Sequence, residues 1–225
     1  MTSAAGSHTD LSLIERLAAI PYTGAVADIL DEMGYRHQAL PNSIQSLVPG
    51  QTLAGRALTL LGEPSEIEDP EIVFPPFLEM LGAIRPGDVL TYQANDAVSA
   101  HLGELSSETA KFRGARGAVI DGGARDTEYI FRLGFPVFAR YKTPLDIRGR
   151  WRLVEWNVPI VIGSIPIAPG DLILGDRDGV IVIPQTIAEE VVSKAEVVVR
   201  TEDLVRAAIL KGVLPLEAYR RFGRF

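Results

Sequence analysis

Cysteine is absent from the 225-residue chain, which excludes disulfide bonds, thiol catalysis and cysteine-ligated metal sites and fits a cytosolic protein. An excess of basic charge is absent too: 22 lysines and arginines stand against 29 aspartates and glutamates, and the net charge is −7 at pH 7. Binding to nucleic-acid phosphates calls for a basic face. We therefore expect no nucleic-acid partner.

Segments that would target the chain to a membrane are also missing. Residues 1–8 lack the charged and apolar regions of a signal peptide, and no run of about 18 apolar residues could span a bilayer. We expect a soluble, cytoplasmic protein without a membrane partner. There is no G-x-G-x-x-G after a strand, no P-loop and no H-E-x-x-H, so dinucleotide-binding, nucleotide-binding and zinc-protease functions lack their motifs.

The chain does contain enough apolar residues, 47% of the total, to build a sizeable core. Helical patterns come first, strands and helices then alternate, closely spaced strands follow, and helices return at the end. We expect one α/β domain over residues 1–225, with a parallel or mixed central sheet, an antiparallel meander and flanking helices. Residues 1–9 are expected to be flexible, and the C-terminal helices to begin at about residue 186.

Periodicity and turn residues predict the individual elements. Residues 10–20 and 24–33 have helical patterns, and Thr23 is the predicted cap of the second helix. Residues 63–76 form a Pro-rich excursion before a short predicted helix at 77–83. Four β-rich runs, spaced as in a meander, are residues 158–162, 165–167, 171–174 and 179–183. Two near-copies of a Pro-Gly turn that leads into a strand are residues 85–90 and 168–173.

A short apolar run, residues 118–120, predicts a buried strand that runs into a charged turn. Gly122 and Gly123 end this predicted strand with residues that tolerate positive φ and close approach by another group. Arg125 and Asp126 follow at once. The loop beyond the carboxyl end of a strand is the usual ligand crevice of an open α/β sheet.

The pair Arg125–Asp126 has two interpretations. A guanidinium beside a carboxylate offers a fork for an anion and a hard oxygen ligand for Mg²⁺ or Mn²⁺. Alternatively, the pair is a surface ion pair on the first turn of the next helix, with Asp126 as its N-cap.

Upstream of this strand, Gly103 opens a predicted helix. The first free N–H groups of that helix, at Gly103, Glu104, Leu105 and Ser106, are able to hold a carboxylate with help from the helix dipole.

Further polar residues around these two features have local as well as functional interpretations. His101 either reaches a substrate or serves as a local capping group. Asp121 either pairs with Arg125 or supports a metal-binding carboxylate from behind. Glu108 faces either the pocket or solvent, and residues 146–150 form a polar loop beside the site or at an interface.

The helix start at Gly103, the strand and the Arg125–Asp126 pair, with 21 residues between Gly103 and Arg125, resemble the RraA-like family over roughly residues 23–219. This family contains 4-hydroxy-4-methyl-2-oxoglutarate aldolases, which also decarboxylate oxaloacetate, and a bacterial regulator of RNase E. The resemblance implies a β/β/α swivelling-type domain and a homotrimer or homohexamer with sites near subunit interfaces. The chain departs from the family at Tyr129, where an acidic residue is expected and Glu128 stands one place earlier.

Together, the residues and the resemblance suggest a class II, metal-dependent pyruvate aldolase or decarboxylase. Asp126 would bind Mg²⁺, Mn²⁺ or another divalent metal, the carboxylate of a 2-oxo acid would rest on the amides of residues 103–106, and Arg125 would face the keto oxygen. Cleavage of the C3–C4 bond gives a pyruvate enolate, which aldol cleavage and oxaloacetate decarboxylation share.

Several alternatives stay open. A Schiff-base lysine is a competing route, but no lysine lies at an apolar strand end that would lower its pKa. The base is a water, Glu104 or Asp121. A non-enzymatic regulator that binds an endoribonuclease, and a related hydroxy-acid or sugar-acid lyase, are the alternative functions.

Overall fold

The computed structural model describes the main chain of residues 5–225 and the side chains from Leu11 onward. The helices are α1 (Ala5–Ala18), α2 (Thr23–Glu32), α3 (Pro70–Ala83), α4 (Glu104–Phe112), α5 (Thr127–Leu133), α6 (Ala188–Leu210) and α7 (Pro215–Phe222). The strands are β1 (Gln45–Ser46), β2 (Leu53–Pro64), β3 (Asp88–Gln93), β4 (Ala100–Leu102), β5 (Gly117–Ala124), β6 (Val137–Lys142), β7 (Trp151–Trp156), β8 (Ile160–Ile162), β9 (Ile165–Ile167), β10 (Leu172–Gly175) and β11 (Val180–Ile183).

A mixed sheet forms the centre of the fold. Its strand order is β1-β6-β5-β3-β2-β10-β11, with β4 paired to β5 and β7 paired to β2. The block β2, β3, β5 and β6 is parallel, whereas β10 and β11 continue it in antiparallel fashion. The predicted α/β class with a mixed central sheet and flanking helices is confirmed. Since parallel strands end at one edge, β5 brings Arg125 and Asp126 to the carboxyl edge of this block.

Both faces of the sheet are buried, which explains the uninterrupted apolar run in β5. Ala118 and Ile120 pack into the cluster that contains α3 and α5, whereas Val119 points to the opposite face, against β8 and β9. A further cluster packs α1, α2 and α6 on β10 and β11. Parallel strands that are covered on both faces have this composition, because each side chain meets a buried surface.

The prediction for the Pro-rich segment is wrong at the helix boundary, because α3 begins at Pro70 and not at residue 77. Asp69 Oδ1 accepts a hydrogen bond from the Glu71 N–H at 3.0 Å. Proline at the first helical position costs no hydrogen bond there. Two further prolines lie inside the helix, and the apolar face of α3 packs on the sheet nevertheless.

The predicted single meander is also wrong. Strands β8 and β9 pair only with each other among the described residues, whereas the β10–β11 hairpin joins the main sheet beside β2. Strand β7, which was not predicted, pairs antiparallel with the second half of β2. The runs predicted as strands therefore form, but long-range pairing divides them between two sheets.

The repeated turn is confirmed as a structural unit. Gly87 and Gly170 have φ values of 92° and 94°. In each copy an aspartate that follows the turn accepts the N–H three residues before it: Asp88 Oδ2 from Arg85 and Asp171 Oδ2 from Ala168, both at 2.8 Å. The same local chemistry therefore starts β3 and precedes β10.

Two boundaries at the N-terminal end differ from the predictions. Helix α1 begins at Ala5, earlier than residue 10, and residues 1–4 of the predicted flexible segment lie outside the described residues. Thr23 is the first residue of α2 and not its cap, which is Tyr22. The Thr23 hydroxyl instead donates to Asp176 Oδ1 at 3.0 Å. In residues 5–225, no helix combines the length and apolar character needed to cross a membrane.

Candidate functional site

The strand β5 changes its pairing partner just before the charged turn. It pairs with β3 up to Ile120 and with β4 at Gly123 and Ala124. The strand therefore does not end at the two glycines, as predicted, but continues through them to Ala124. This change of partner opens the edge at which Arg125 and Asp126 emerge.

Gly122 and Gly123 are required by close approach. A Cβ on Gly122 would lie 2.6 Å from His101 Nδ1, and a Cβ on Gly123 would lie 2.7 Å from the Ser99 carbonyl oxygen. Neither glycine has positive φ. The predicted close approach is confirmed: the buried His101 of β4 approaches Gly122, and the Tyr141 ring and the Ser99 carbonyl approach Gly123.

Asp126 has a left-handed backbone conformation, with φ 53° and ψ 33°, immediately before α5. Such a conformation is uncommon for a non-glycine residue and is most accessible to aspartate and asparagine. Its carboxylate makes no side-chain cap with α5. Instead, Oδ2 accepts the Glu104 N–H at 3.0 Å, at the start of α4. Asp126 is therefore the N-cap residue of α5 by position, as the alternative interpretation has it, but its side chain does not cap that helix.

The N-terminus of α4 is partly occupied by the chain itself. Ser106 Oγ accepts the Gly103 N–H at 2.9 Å, and Asp126 accepts the N–H of Glu104. Within the described part of the chain, the N–H groups of Leu105 and Ser106 have no hydrogen-bond acceptor. Of the four amides predicted for a substrate carboxylate, two are free in this structure.

Gly103 lies against the charged pair. A Cβ at this position would lie 2.7 Å from Asp126 Oδ2 and 3.1 Å from Arg125 Nε. Gly103→Ala is therefore expected to displace both side chains and, for the lyase that the resemblance implies, to lower turnover by up to about 10²-fold, the cost of misplacing a reacting group by about 1 Å. The loss of stability should be small, because the atoms that a Cβ would meet belong to side chains and not to the backbone. Steady-state kinetics and urea unfolding of the same preparation test this.

Gly82→Ala is the matched control for that substitution, because a Cβ on Gly82 meets no atom within 4 Å. It should leave turnover unchanged. Equal turnover of Gly103→Ala and the native chain would contradict the role given to this close contact.

Arg125 lies between two carboxylates. Its Nε is 3.6 Å from Asp126 Oδ2, and its Nη1 is 3.7 Å from Asp146 Oδ1. Arg125 also lines a cavity of ≈ 220 Å³, together with Gly103, Ser106 and Asp146. Of the two interpretations of the polar loop at residues 146–150, the structure therefore shows Asp146 beside Arg125.

Two other predicted residues point elsewhere. Asp121 pairs with Arg140 at 3.3 Å rather than with Arg125, because Arg140 lies on the adjacent strand β6, whereas Arg125 lies four residues further along the extended chain. Glu108 is exposed, and its Oε2 accepts the Tyr129 hydroxyl at 3.4 Å. The Glu108 carboxylate raises the pKa of Tyr129. Tyr129 therefore brings a hydroxyl to α4 at the position where the resemblance leads one to expect an acidic side chain.

His101 is fully buried and forms a pair with Asp96. Its Nδ1 accepts the Gly123 N–H at 3.2 Å, so the neutral imidazole carries its proton on Nε2, which lies 3.2 Å from Asp96 Oδ2. Burial lowers the pKa of His101, and the nearby Asp96 charge opposes this shift without cancelling it. Burial alone would raise the pKa of Asp96, but hydrogen bonds from the Ser99 hydroxyl and N–H lower it.

This pair should make stability pH-dependent. The lowered pKa of folded His101 favours the neutral ring, so its contribution is present above the unfolded pKa of about 6.5 and is lost as the pH falls through the folded value. Urea midpoints between about pH 7.5 and about pH 5.5 should therefore decline in the native chain and decline less in His101→Gln. Parallel pH profiles for the two proteins would contradict this assignment. Asp96 adds a further loss only at more acidic pH, below its unfolded pKa of about 3.9.

The apolar wall of the cavity was missed by sequence reasoning. It is formed by α3 and by the residue that follows Asp146: Phe74, Phe77, Leu78, Leu81 and Ile147. The Pro-rich composition of residues 63–76 indicated an irregular segment and concealed the helix start. The cap at Asp69 followed by Pro70 is the signal that could have found it.

The donor set around Asp126 limits the kind of metal ion that it could bind. The described residues contain no group of three or more His, Asp or Glu side chains arranged for a metal. Asp126 Oδ1 accepts no hydrogen bond from any described residue, and the side chain is 43% exposed. One accessible carboxylate fits Mg²⁺, which keeps several waters and uses one or two protein carboxylates. It does not fit a zinc site built from three or four side chains.

Comparison with known proteins adds similarities over most of the chain. A family model described as RraA-like, Aldolase/RraA, matches residues 23–182. A Halalkalibacterium halodurans protein named "Putative 4-hydroxy-4-methyl-2-oxoglutarate aldolase" is 32% identical over 217 residues, covering 95% of this chain and 96% of that protein. The crystal structure of Streptomyces coelicolor RraAS2, titled an unusual member of the RNase ES inhibitor RraA protein family, has a TM-score of 0.78 at 28% identity and covers 87% of this chain and 97% of that one. An uncharacterized protein from Pseudomonas syringae pv. tomato has a TM-score of 0.81 at 30% identity and covers 92% and 96% of the two chains.

Proposed function

Because the chain belongs to the RraA-like (Aldolase/RraA) family, we propose that it is a divalent-metal-dependent lyase that releases pyruvate from a 2-oxo acid. The proposed reactions are retro-aldol cleavage of substrates of the 4-hydroxy-4-methyl-2-oxoglutarate type and decarboxylation of oxaloacetate. The proposed cofactor is Mg²⁺ or Mn²⁺, and the proposed assembly is a homotrimer or homohexamer.

The observation that supports this proposal is the juxtaposition of Arg125, Asp126 and the start of α4. Asp126 bonds to the Glu104 N–H and keeps Oδ1 accessible, while the N–H groups of Leu105 and Ser106 stay free beside it. A substrate carboxylate on these two amides gains from the positive end of the helix dipole. The keto oxygen of the same substrate would then face Arg125.

The reaction requires a group that stabilises the negative charge that develops on the substrate. When the C3–C4 bond breaks, its electron pair moves into an enolate whose oxygen carries the charge, and the Arg125 guanidinium is placed to stabilise it. A divalent ion on Asp126 would supply Lewis-acid stabilisation of the same oxygen. Protonation at C3 then gives pyruvate.

The retro-aldol reaction also needs a base for the C4 hydroxyl proton. Of the two carboxylates considered, Asp121 is paired with Arg140. Glu104 is therefore the better candidate, because its main chain contacts Asp126 and its side chain is only half-buried. It would take the proton directly or through a water.

Pyruvate release from oxaloacetate and from 4-hydroxy-4-methyl-2-oxoglutarate, with Mg²⁺ and with EDTA, tests the proposed function. Protein-dependent release that requires the metal is the expected result. No release above the metal-only background from these two compounds or from any other 4-hydroxy-2-oxo acid would overturn it.

A second candidate function is regulation of an endoribonuclease. It is supported by the similarity to Streptomyces coelicolor RraAS2, whose title describes an RNase ES inhibitor family. A regulator binds through its surface and does not need the accessible carboxylate of Asp126. Inhibition of an RNase E-type enzyme by both the native chain and Asp126→Asn, without pyruvate release, would favour this function.

A further inference from the structure

The lining of the cavity beside Arg125 is chemically mixed. Arg125, Gly103, Ser106 and Asp146 are among its polar members. Most of the rest is apolar and includes side chains of α3 and Ile147. A substrate anchored by its 2-oxo acid group at Arg125 therefore extends its C4 substituent along an apolar surface.

Few of the side chains that line this cavity are charged. Among the described residues that line it, Arg125 is the only cation, and Asp126 and Asp146 lie 3.6 and 3.7 Å from its guanidinium. Arg148 and Arg150 of the neighbouring loop donate to backbone carbonyls and do not line the cavity. A second substrate carboxylate would therefore find no positive partner among the described lining residues of this chain and would lie near the charge of Asp146.

The apolar wall follows from how α3 packs. Phe77 and Leu81 are buried in the core beneath the cavity, whereas Leu78, on the same side of the helix, is 59% exposed. Burying an unpaired carboxylate against such a wall is unfavourable, because the ion loses hydration and gains no counter-charge. Burying an alkyl group there is favourable.

We propose that the preferred substrate carries one carboxylate and an apolar C4 substituent, and is thus a 4-hydroxy-2-oxo monocarboxylic acid that is turned over faster than the dicarboxylates named above; this inference rests on the proposed function. The hydroxyl proton at C4 goes to the base, the C4–O bond becomes a carbonyl, and the C3–C4 bond breaks. Its electron pair forms the enolate, which takes a proton at C3. The products are pyruvate and an apolar aldehyde or ketone, without an oxidant or reductant.

Turnover of matched substrates tests the inference. Pyruvate release is measured with Mg²⁺ for 4-hydroxy-2-oxopentanoate, 4-hydroxy-2-oxoheptanoate and 4-hydroxy-4-methyl-2-oxoglutarate. Adding alkyl carbons should raise kcat/KM by about tenfold, and both monocarboxylates should exceed the dicarboxylate. Preference for the dicarboxylate would overturn the inference and leave the proposed function intact. Release from none of the three would overturn the proposed function and the inference with it.

Equilibrium binding gives the same comparison without turnover. 2-Oxohexanoate and 2-oxoglutarate lack the C4 hydroxyl and differ mainly in the second carboxylate. Isothermal titration should show about tenfold tighter binding of 2-oxohexanoate. Equal or tighter binding of 2-oxoglutarate would overturn the inference.

A single substitution should alter this preference. Leu78→Lys adds a cation at the cavity, and a charge-assisted hydrogen bond to the second carboxylate should raise the dicarboxylate-to-monocarboxylate ratio of kcat/KM by about tenfold. Leu204→Lys is the matched control, since Leu204 is also 59% exposed but lies on α6, away from the cavity. An unchanged ratio in Leu78→Lys, or an equal change in both variants, would contradict the placement of the substituent against α3.

Discussion

Asp126→Asn is expected to lower pyruvate release by about 10²- to 10³-fold, because it removes the charge that holds the divalent ion and leaves several kcal/mol of transition-state stabilisation unmade. Asparagine can still accept the Glu104 N–H through its side-chain oxygen, and it tolerates the left-handed conformation of this position. The fold and the start of α4 should therefore persist. Steady-state kinetics with increasing Mg²⁺ measure the loss, and circular dichroism checks the fold.

Glu128→Gln is the control for this substitution. Glu128 lies two residues further along the chain and pairs with Arg132 on the exposed face of α5, where both side chains are 73% exposed. Its loss of charge should leave turnover unchanged. Native-like, Mg²⁺-dependent turnover of Asp126→Asn would show that the carboxylate is not the metal ligand.

Trp151→Ala is expected to cost about 3–5 kcal/mol of stability, the usual range for removing a large aromatic side chain from a core. Trp151 is fully buried, its Nε1–H donates to the Ala94 carbonyl at 2.8 Å, and its ring meets His101 edge-on with centroids 4.8 Å apart. A Cβ on Gly62 would lie 2.0 Å from this ring, so β2 is shaped around it. Urea unfolding measures the change in free energy.

Two further substitutions separate volume from hydrogen bonding. Trp151→Phe keeps an aromatic ring but leaves the Ala94 carbonyl without its donor, which costs about 1–3 kcal/mol. Trp156→Ala, at the other end of β7, should cost less than Trp151→Ala because Trp156 is only partly buried. Equal losses at Trp151 and Trp156 would contradict the role of Trp151 as a core residue.

The candidate site was predictable where its signals are local. An apolar run followed by glycines and a charged pair marks the carboxyl end of a buried strand, and the helix start at Gly103 is equally local. No local pattern predicts that Asp126 Oδ2 accepts a hydrogen bond from the Glu104 N–H. That contact spans β5 and the start of α4, and it depends on the transfer of β5 from β3 to β4.

Strand β7 is a second feature that was not predicted from local sequence patterns. Trp151 and Leu153 are buried and Arg152 and Val154 are not, which is the alternation of a half-buried strand. The pattern is present in the sequence, but residues 151–156 directly follow the polar loop predicted at 146–150 and belong to no predicted element. This segment forms a strand only by pairing with β2, because a single strand is not stable without a neighbour.

By itself, the sequence determined the α/β class, the turn repeated before β3 and β10, the strand that carries Arg125 and Asp126, and the helix start at Gly103. Each of these follows from residues close together in the chain, where side-chain period, glycine freedom and proline geometry act directly. Tertiary structure decided which carboxylates flank Arg125, which amides of α4 stay free, and that α3 forms the apolar wall of the cavity. Those contacts join segments that are far apart in the sequence. They form only when the folded chain packs these segments against one another.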